Sequence, residues 1–198
     1  MSRTMAFEDG RIYIVELPAT LHEELIARVD GAVSTATGTG DQHLVSHRSS
    51  YVELEGFQKL ESDCRFGPAD DIGAIRPGGI MAWGEYHTLK VEVGVLRRWS
   101  SLGRKADQWR QFPGVEYILC ICLSQDLRIR QYKLYTVDDR ATPLPPKNPR
   151  NIVNPTDVPF NSSRLLVARS PPPVSFSGPN VAINLYTVVE DDSGGRRG

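Results

Sequence analysis

The spacing of apolar positions divides this chain into short extended runs and two helices. Arg11 to Leu17 (RIYIVEL) is apolar and β-branched, which predicts a short strand that Pro18 stops. Thr20 and Glu23 then have capping-box spacing, in which a hydroxyl oxygen and a carboxylate three residues on satisfy free amides at a helix start. Leu21, Leu25, Ile26 and Val29 recur at helical spacing and predict a helix over 21–30, with Gly31 as its stop. Residues 32–49 are small and polar and read as a loop. Tyr51, Val52 and Leu54 suggest a strand, Cys64 to Phe66 the start of another, and Pro77-Gly78-Gly79 a turn.

The pattern is clearest in the middle of the chain. Leu89 to Val95 (LKVEVGV) alternates as a strand does. Ser100 or Ser101 is placed to cap a helix that runs to about Phe112, with Leu102, Ala106, Trp109 and Phe112 near one face and Pro113-Gly114 behind it. Val115 to Leu123 (VEYILCICL) is the most apolar run and fits a central buried strand. Leu127 to Val137 alternates and pairs with it as a hairpin. The strand–helix–strand passage over 89–123 favours a parallel pair with a right-handed crossover. Hairpins on either side make the sheet mixed, and the class α/β.

Composition adjusts this outline at its C-terminal end. Ten of the fourteen prolines fall within 141–180, which predicts a loop-rich surface excursion, while Leu165 to Val167 and Val181 to Val189 are apolar enough to rejoin the body. We therefore expect one domain over 1–190, with a core over 66–136 and a proline-rich loop region over 141–180. Residues 191–198 form a charged, glycine-rich tail expected to be flexible. The 198 residues and 40% apolar content suit a single domain with a real core. The net charge of -1 excludes a globally basic protein, so a nucleic-acid partner would have to meet a local patch. Cys64, Cys120 and Cys122 have the spacing of buried thiols rather than of a disulfide or metal clip, which points to a reducing compartment. No stretch has the length of a signal peptide or membrane span, so the expected location is intracellular, cytoplasm or nucleus, with no membrane partner.

Candidate chemistry enters through a few charged residues in telling places. Asp70 and Asp71 follow Pro68, Glu92 interrupts an apolar strand, and Lys105 lies on the helix after it. In LKVEVGV, Lys90, Glu92 and Gly94 share one face and the three valines the other. Alternation by itself makes the Lys90–Glu92–Gly94 face the solvated one, and Glu92 an exposed residue. Arg97, Arg98, Arg104, Lys105 and Arg110 form a basic stretch with Trp99 and Trp109 interleaved, suited to gripping phosphates and stacking bases; for Trp109 a core position fits better. His22, His43, His47 and His87 lack metal-ligand spacing and receive no role.

Taken in order, Pro68-Ala69-Asp70-Asp71, Val91-Glu92-Val93-Gly94, Lys105-Ala106-Asp107-Gln108-Trp109 and Gly114-Val115-Glu116-Tyr117-Ile118 resemble the restriction-endonuclease-like family of the PD-(D/E)XK nuclease superfamily. The late Val158-Pro159-Phe160 and Arg164-Leu165-Leu166 look like a feature of its fungal-type members. The resemblance implies a restriction-endonuclease-like α/β fold, with a central mixed β-sheet flanked by helices and a proline-rich C-terminal excursion. It also implies a metal-dependent nuclease site holding Mg²⁺ (or Mn²⁺) on carboxylates of adjacent strands. On that carry-over Asp71 and Glu92 are the ligands, with Asp70 and Glu23 (or Glu24) as further acids, and Lys105 is the basic catalytic partner. The usual E-x-K would place its lysine at position 94, where Gly94 stands, so the lysine moves to the helix at Lys105. Arg97, Arg98, Arg104 and Arg110 would hold nucleic acid, DNA before RNA, and a homodimer is a common arrangement in such enzymes. The competing expectation is a catalytically decayed protein of this fold that binds nucleic acid or protein. Convergence of Asp71, Glu92 and Lys105 within metal-ligand reach in a cleft favours the enzyme; Glu92 in bulk solvent, or Asp71 on the far side of the sheet, means that the enzyme reading is dropped.

Overall fold

The computed structural model describes residues 4–8, 11–15, 19–47, 51–52, 60–167 and 171–190, with side chains for 21–47, 60–167 and 171–190. Strands β1 (Thr4–Glu8) and β2 (Arg11–Val15) pair as an antiparallel hairpin ahead of helix α1 (Ala19–Ala36). There follow β3 (Leu44–Ser46), β4 (Tyr51–Val52), β5 (Leu60–Glu61), β6 (Cys64–Pro68), β7 (Leu89–Val95), α2 (Trp99–Arg110), β8 (Tyr117–Leu123) and β9 (Arg130–Thr136). The C-terminal part contributes β10 (Arg150–Asn151), β11 (Asp157–Asn161), α3 (Ser162–Leu166), β12 (Asn180–Asn184) and α4 (Leu185–Val189).

Six strands form the central sheet in the order β10-β9-β8-β7-β6-β3. Only β7 and β8 are parallel, joined through α2, and the other neighbours are antiparallel. The architecture is thus mixed α/β, with a mostly antiparallel central sheet flanked by helices. The 89–123 crossover and the β8–β9 hairpin lie where the alternation placed them. One face of the sheet packs against Leu25, Val29 and Val33 of α1 and against the C-terminal hairpin β11–β12 with α4. The other face packs against Leu102, Ala106 and Trp109 of α2. Because both faces are covered, every residue of β7 and β8 is buried. The expectation that one face of β7 is solvated therefore fails, and its cause is the helix laid across Lys90, Glu92 and Gly94.

Two further differences have local causes. Helix α1 does not stop at Gly31 but continues to Ala36, because Val33 lies one turn beyond Val29 and is also buried, while a Cβ at Gly31 would meet nothing. The chain leaves the helix at Gly38, whose φ of 75° suits a residue without a Cβ. The residues read as a loop are thus the last turn and a half of α1, a short turn and β3. Helix α2 starts at Trp99 behind Arg98, which makes no side-chain cap bond, so neither Ser100 nor Ser101 caps it. The cap foreseen at Thr20 and the tail 191–198 lie outside the described side chains. Gly67 of β6 is required by packing: a Cβ there would stand 1.8 Å from the carbonyl oxygen of Tyr86, so the 69–88 return lies directly on the strand.

Candidate functional site

Glu92 is the structural centre of the polar groups beneath α2. Its carboxylate is wholly buried. Lys105 Nζ stands 2.6 Å from Oε2, and Trp109 Nε1–H donates to Oε1 at 2.6 Å. The two donors are four residues apart on α2, so consecutive turns present them side by side. The β6–β7 register pairs Cys64 with Val91 and Arg65 with Lys90, and Asp63, one residue ahead of β6, stands beside the Glu92–Val93 step of β7. Asp63 Oδ2 accepts the Val93 amide at 2.7 Å, so a side chain completes the ladder where the β6 backbone leaves it. His22 of α1 brings Nε2 within 3.5 Å of Asp63 Oδ1. α1, the residue ahead of β6, and α2 therefore meet around the middle of β7, where the β6 ladder ends.

The electrostatics divide the two carboxylates. Burial pushes Glu92 up to about 7; the Asp63 charge acts in the same sense, and Lys105 and the Trp109 N–H oppose both. Burial also acts to raise Asp63, but the neighbouring His22 imidazole, the Lys105 charge and the Val93 amide together hold it below the ordinary carboxylate range. His22 is raised by the Asp63 carboxylate beside it against the effect of burial, with Arg97 opposing. One carboxylate is thus firmly ionised beside one poised to exchange a proton near neutrality, the kind of divergence that acid–base sites use.

Beside this group lies a buried basic one. Lys90 Nζ is 3.1 Å from His87 Nδ1 and 4.2 Å from the centre of the Trp109 ring. Burial, reinforced by Arg65, holds the Lys90 amine well below its usual range, and burial with Lys90 does the same for His87. His47 meets His87 edge-on at 5.2 Å.

Gly94 explains why the lysine comes from α2. A Cβ at position 94 would meet Arg97 Cβ at 3.0 Å and Leu102 Cδ1 at 3.0 Å, so a side chain there would have to push α2 or its side chains aside. The close approach of Leu102 seats α2 on the strand, and that seating puts Lys105 on Glu92.

Glu92 and Lys105 are therefore brought together, but Asp71 does not join them. It lies beyond the far end of β6, about 16 Å of strand from Asp63, in a 3₁₀ turn with Asp70. Asp71 Oδ2 is 3.0 Å from His43 Nδ1, and His43 Nε2 is 3.4 Å from Ser175 Oγ. The order carboxylate, imidazole, hydroxyl is that of an acyl-transfer relay. The amides of Phe176 and Ser177 that follow the hydroxyl are committed to the carbonyls of Pro173 and Thr37, so they cannot form an oxyanion hole. We read the group as a clip that fastens the proline-rich segment to β3. Asp70 and Asp71 are both exposed, and neither reaches Glu92; the carboxylate beside the Glu92–Val93 step is Asp63. Glu23 is exposed at the rim, 3.7 Å from His22.

The four arginines divide as well. Arg97 is half-buried, Arg98 is exposed just ahead of α2, and Arg104 is exposed within it. Arg110 is buried, held by Asp107 at 2.8 Å and by the carbonyl of Arg140, so it does not face a nucleic acid. Sequence reasoning missed Asp63 and His22, and for Trp109 it weighed base stacking against the core without the bond to Glu92. The signal for Asp63 was its place one residue ahead of the Cys64 strand, which sets it beside the Glu92–Val93 step only once the register is known.

No protein-family model matches the chain, and no curated protein matches it. Among the described residues, no three His, Cys, Asp or Glu side chains gather into a ready metal-ligand cluster, and no helix is long and apolar enough to cross a membrane.

Proposed function

We propose that the chain is a metal-dependent nuclease of the restriction-endonuclease-like type, with Asp63, Glu92 and Lys105 as its centre. One observation carries this reading: a lysine of the crossover helix sits on the buried carboxylate of Glu92 in β7, and the carboxylate of Asp63, just ahead of β6, is bonded to the next amide of the same strand. The element order supports it, since β6, β7, α2 and β8 run strand, strand, helix, strand, the order of the motifs that carry the resemblance.

The donor set fits a hard cation. Asp63 and Glu92 offer only oxygen, and an ion such as Mg²⁺ accepts one or two carboxylates and completes its shell with water. Bound there, Mg²⁺ or Mn²⁺ would polarise a phosphoryl oxygen and lower the pKa of an attacking water. The protein's own contribution is positional. Asp63, kept ionised by His22 and the Val93 amide, is the fixed ligand. Lys105 neutralises Glu92 at rest, and its ammonium is within side-chain reach of charge that builds on a phosphate. Arg97, Arg98 and Arg104 line the approach for a nucleic-acid backbone, with DNA the first substrate to examine.

A second reading has its own support. Glu92 has both oxygens engaged and none of its side chain exposed, as befits a fold that retains the residues and binds nucleic acid or protein without cleaving. Cleavage of plasmid and single-stranded DNA and RNA with Mg²⁺ or Mn²⁺ separates the two. The enzyme reading expects activity in the wild type that falls at least a hundredfold in Asp63→Asn and Glu92→Ala, and persists in Asp71→Asn. Inactivity of the wild type on every substrate, with retained binding, establishes the second reading.

A further inference from the structure

We propose that Trp109 is a positioning residue for Glu92, holding one carboxylate oxygen in place while Lys105 releases the other to an arriving cation. The inference rests on the metal-site reading above and adds to it a division of labour between the two donors on α2.

Both donors touch Glu92 at 2.6 Å, yet they differ in freedom. The Lys105 side chain is 23% exposed, so its head has solvent to swing into, and a flexible four-carbon stem to do so. Trp109 has no exposed surface. Its ring is packed by Lys90 at 4.2 Å and by Phe112 at 4.9 Å, and it has two side-chain torsions rather than four. A cation that takes an oxygen of Glu92 repels the ammonium but not the neutral indole. The ion pair is therefore the contact that yields, and the indole N–H is the one that stays. Without Trp109, Glu92 would lose the one donor that a cation does not displace, and its rotamer would be fixed by packing alone. Groups that orient a metal ligand from behind typically account for ten- to hundredfold in affinity.

The test is an NMR titration of the full chain, with ¹⁵N-labelled tryptophan, against Mg²⁺ alone. The three indole N–H signals, from Trp83, Trp99 and Trp109, are assigned with single Trp→Phe variants. The expected result is a Trp109 signal far downfield, as a donor to a carboxylate, that moves saturably with Mg²⁺ while Trp83 does not. Asp63→Asn should abolish that movement. Trp109→Phe should weaken Mg²⁺ binding, read from backbone amides of β7, about tenfold, whereas Lys105→Met should not weaken it. If the β7 amides report Mg²⁺ binding while the Trp109 indole stays still, or if Trp109→Phe binds Mg²⁺ within twofold of the wild type, the positioning role is overturned and the metal site stands. If no signal moves at any Mg²⁺ concentration, the metal site itself is overturned, and this role with it. Should Trp109→Phe fail to fold, the wild-type titration decides alone.

Discussion

Lys105 is the counter-charge of a fully buried carboxylate, and what its loss does depends on pH. Removing one partner of a buried ion pair leaves an uncompensated charge, which costs roughly 3 kcal/mol. Burial already raises Glu92 to about 7, so the folded protein keeps a proton there that the unfolded chain releases above about 4.5. The Glu92 contribution to stability accordingly falls as pH rises from 4.5 to 7. Lys105→Met should therefore destabilise strongly at pH 8 and much less at pH 5.5, where Glu92 is protonated, as read by urea unfolding. The double variant with Glu92→Gln should recover most of the loss at pH 8. Equal losses at both pH values would show that Lys105 acts by packing. His87 gives the opposite slope. Its pKa is held well below 6.5 by burial and by Lys90, so the unfolded chain takes up a proton below 6.5 that the folded state refuses. Stability should decline from pH 6.5 downward on this account. His87→Gln should remove that part of the decline, and parallel curves for variant and wild type between pH 6.5 and 5 would refute it.

At the scale of elements, the packing of α2 on β7 decides where the lysine resides. Adding a methyl at Gly94 drives it against Arg97 and Leu102, so Gly94→Ala should cost about 1–3 kcal/mol. Gly94→Lys, which restores the usual spacing on the strand, should be worse still and should not rescue Lys105→Met in cleavage. Thermal melting and the cleavage assay check both halves; a stable, active Gly94→Lys/Lys105→Met chain would show that α2 can move aside. The same packing marks what the sequence could reveal. Helix α2, the parallel β7–β8 pair and the β8–β9 hairpin were legible because Leu102, Ala106 and Trp109 repeat at helical spacing and the strands are apolar runs. Glu92 with Lys105 was legible through the order of motifs. The far end of α1 was not, because after Gly31 the residues that reach the core are Val33 and the small Ala32 and Ala36, set among polar neighbours. Asp63 was not either: its part in the ladder is a contact of its side chain with the Val93 amide thirty residues on, which no local pattern encodes. Pro68-Ala69-Asp70-Asp71 supplied a nearer imitation at the wrong end of the same strand.

For the whole molecule, the C-terminal part completes the core rather than decorating it. One cluster of buried residues runs from Leu25 and Val29 of α1 through the valines of β7 to Phe160, Leu165, Val181, Ile183, Leu185 and Val188. Those late side chains cover the α1 face of the sheet. Arg164 fastens them to it with bonds to Glu116 at 2.8 Å, Asp138 at 2.7 Å and the carbonyl of Val137 at 3.0 Å. A further bond runs from the Thr88 hydroxyl to the carbonyl of Leu165 at 2.6 Å, from the loop ahead of β7. Cutting the chain after Pro149 would expose the apolar surface of at least six buried side chains, each contributing about 1.5–3 kcal/mol when buried. That sum is as large as the net stability of an ordinary domain, about 5–15 kcal/mol. A fragment of residues 1–149 should therefore lose its near-ultraviolet circular dichroism and its cooperative urea transition, although it retains Asp63, Glu92, Lys105 and Trp109. Arg164→Met in the full chain should be milder, lowering the urea midpoint while keeping a single transition, because it removes the fastening and leaves the covering in place. A fragment that unfolds with the full chain's midpoint would show that the sheet and α2 stand without their C-terminal cover, and would separate the site from the part of the chain that the proline-rich segment brings back to it.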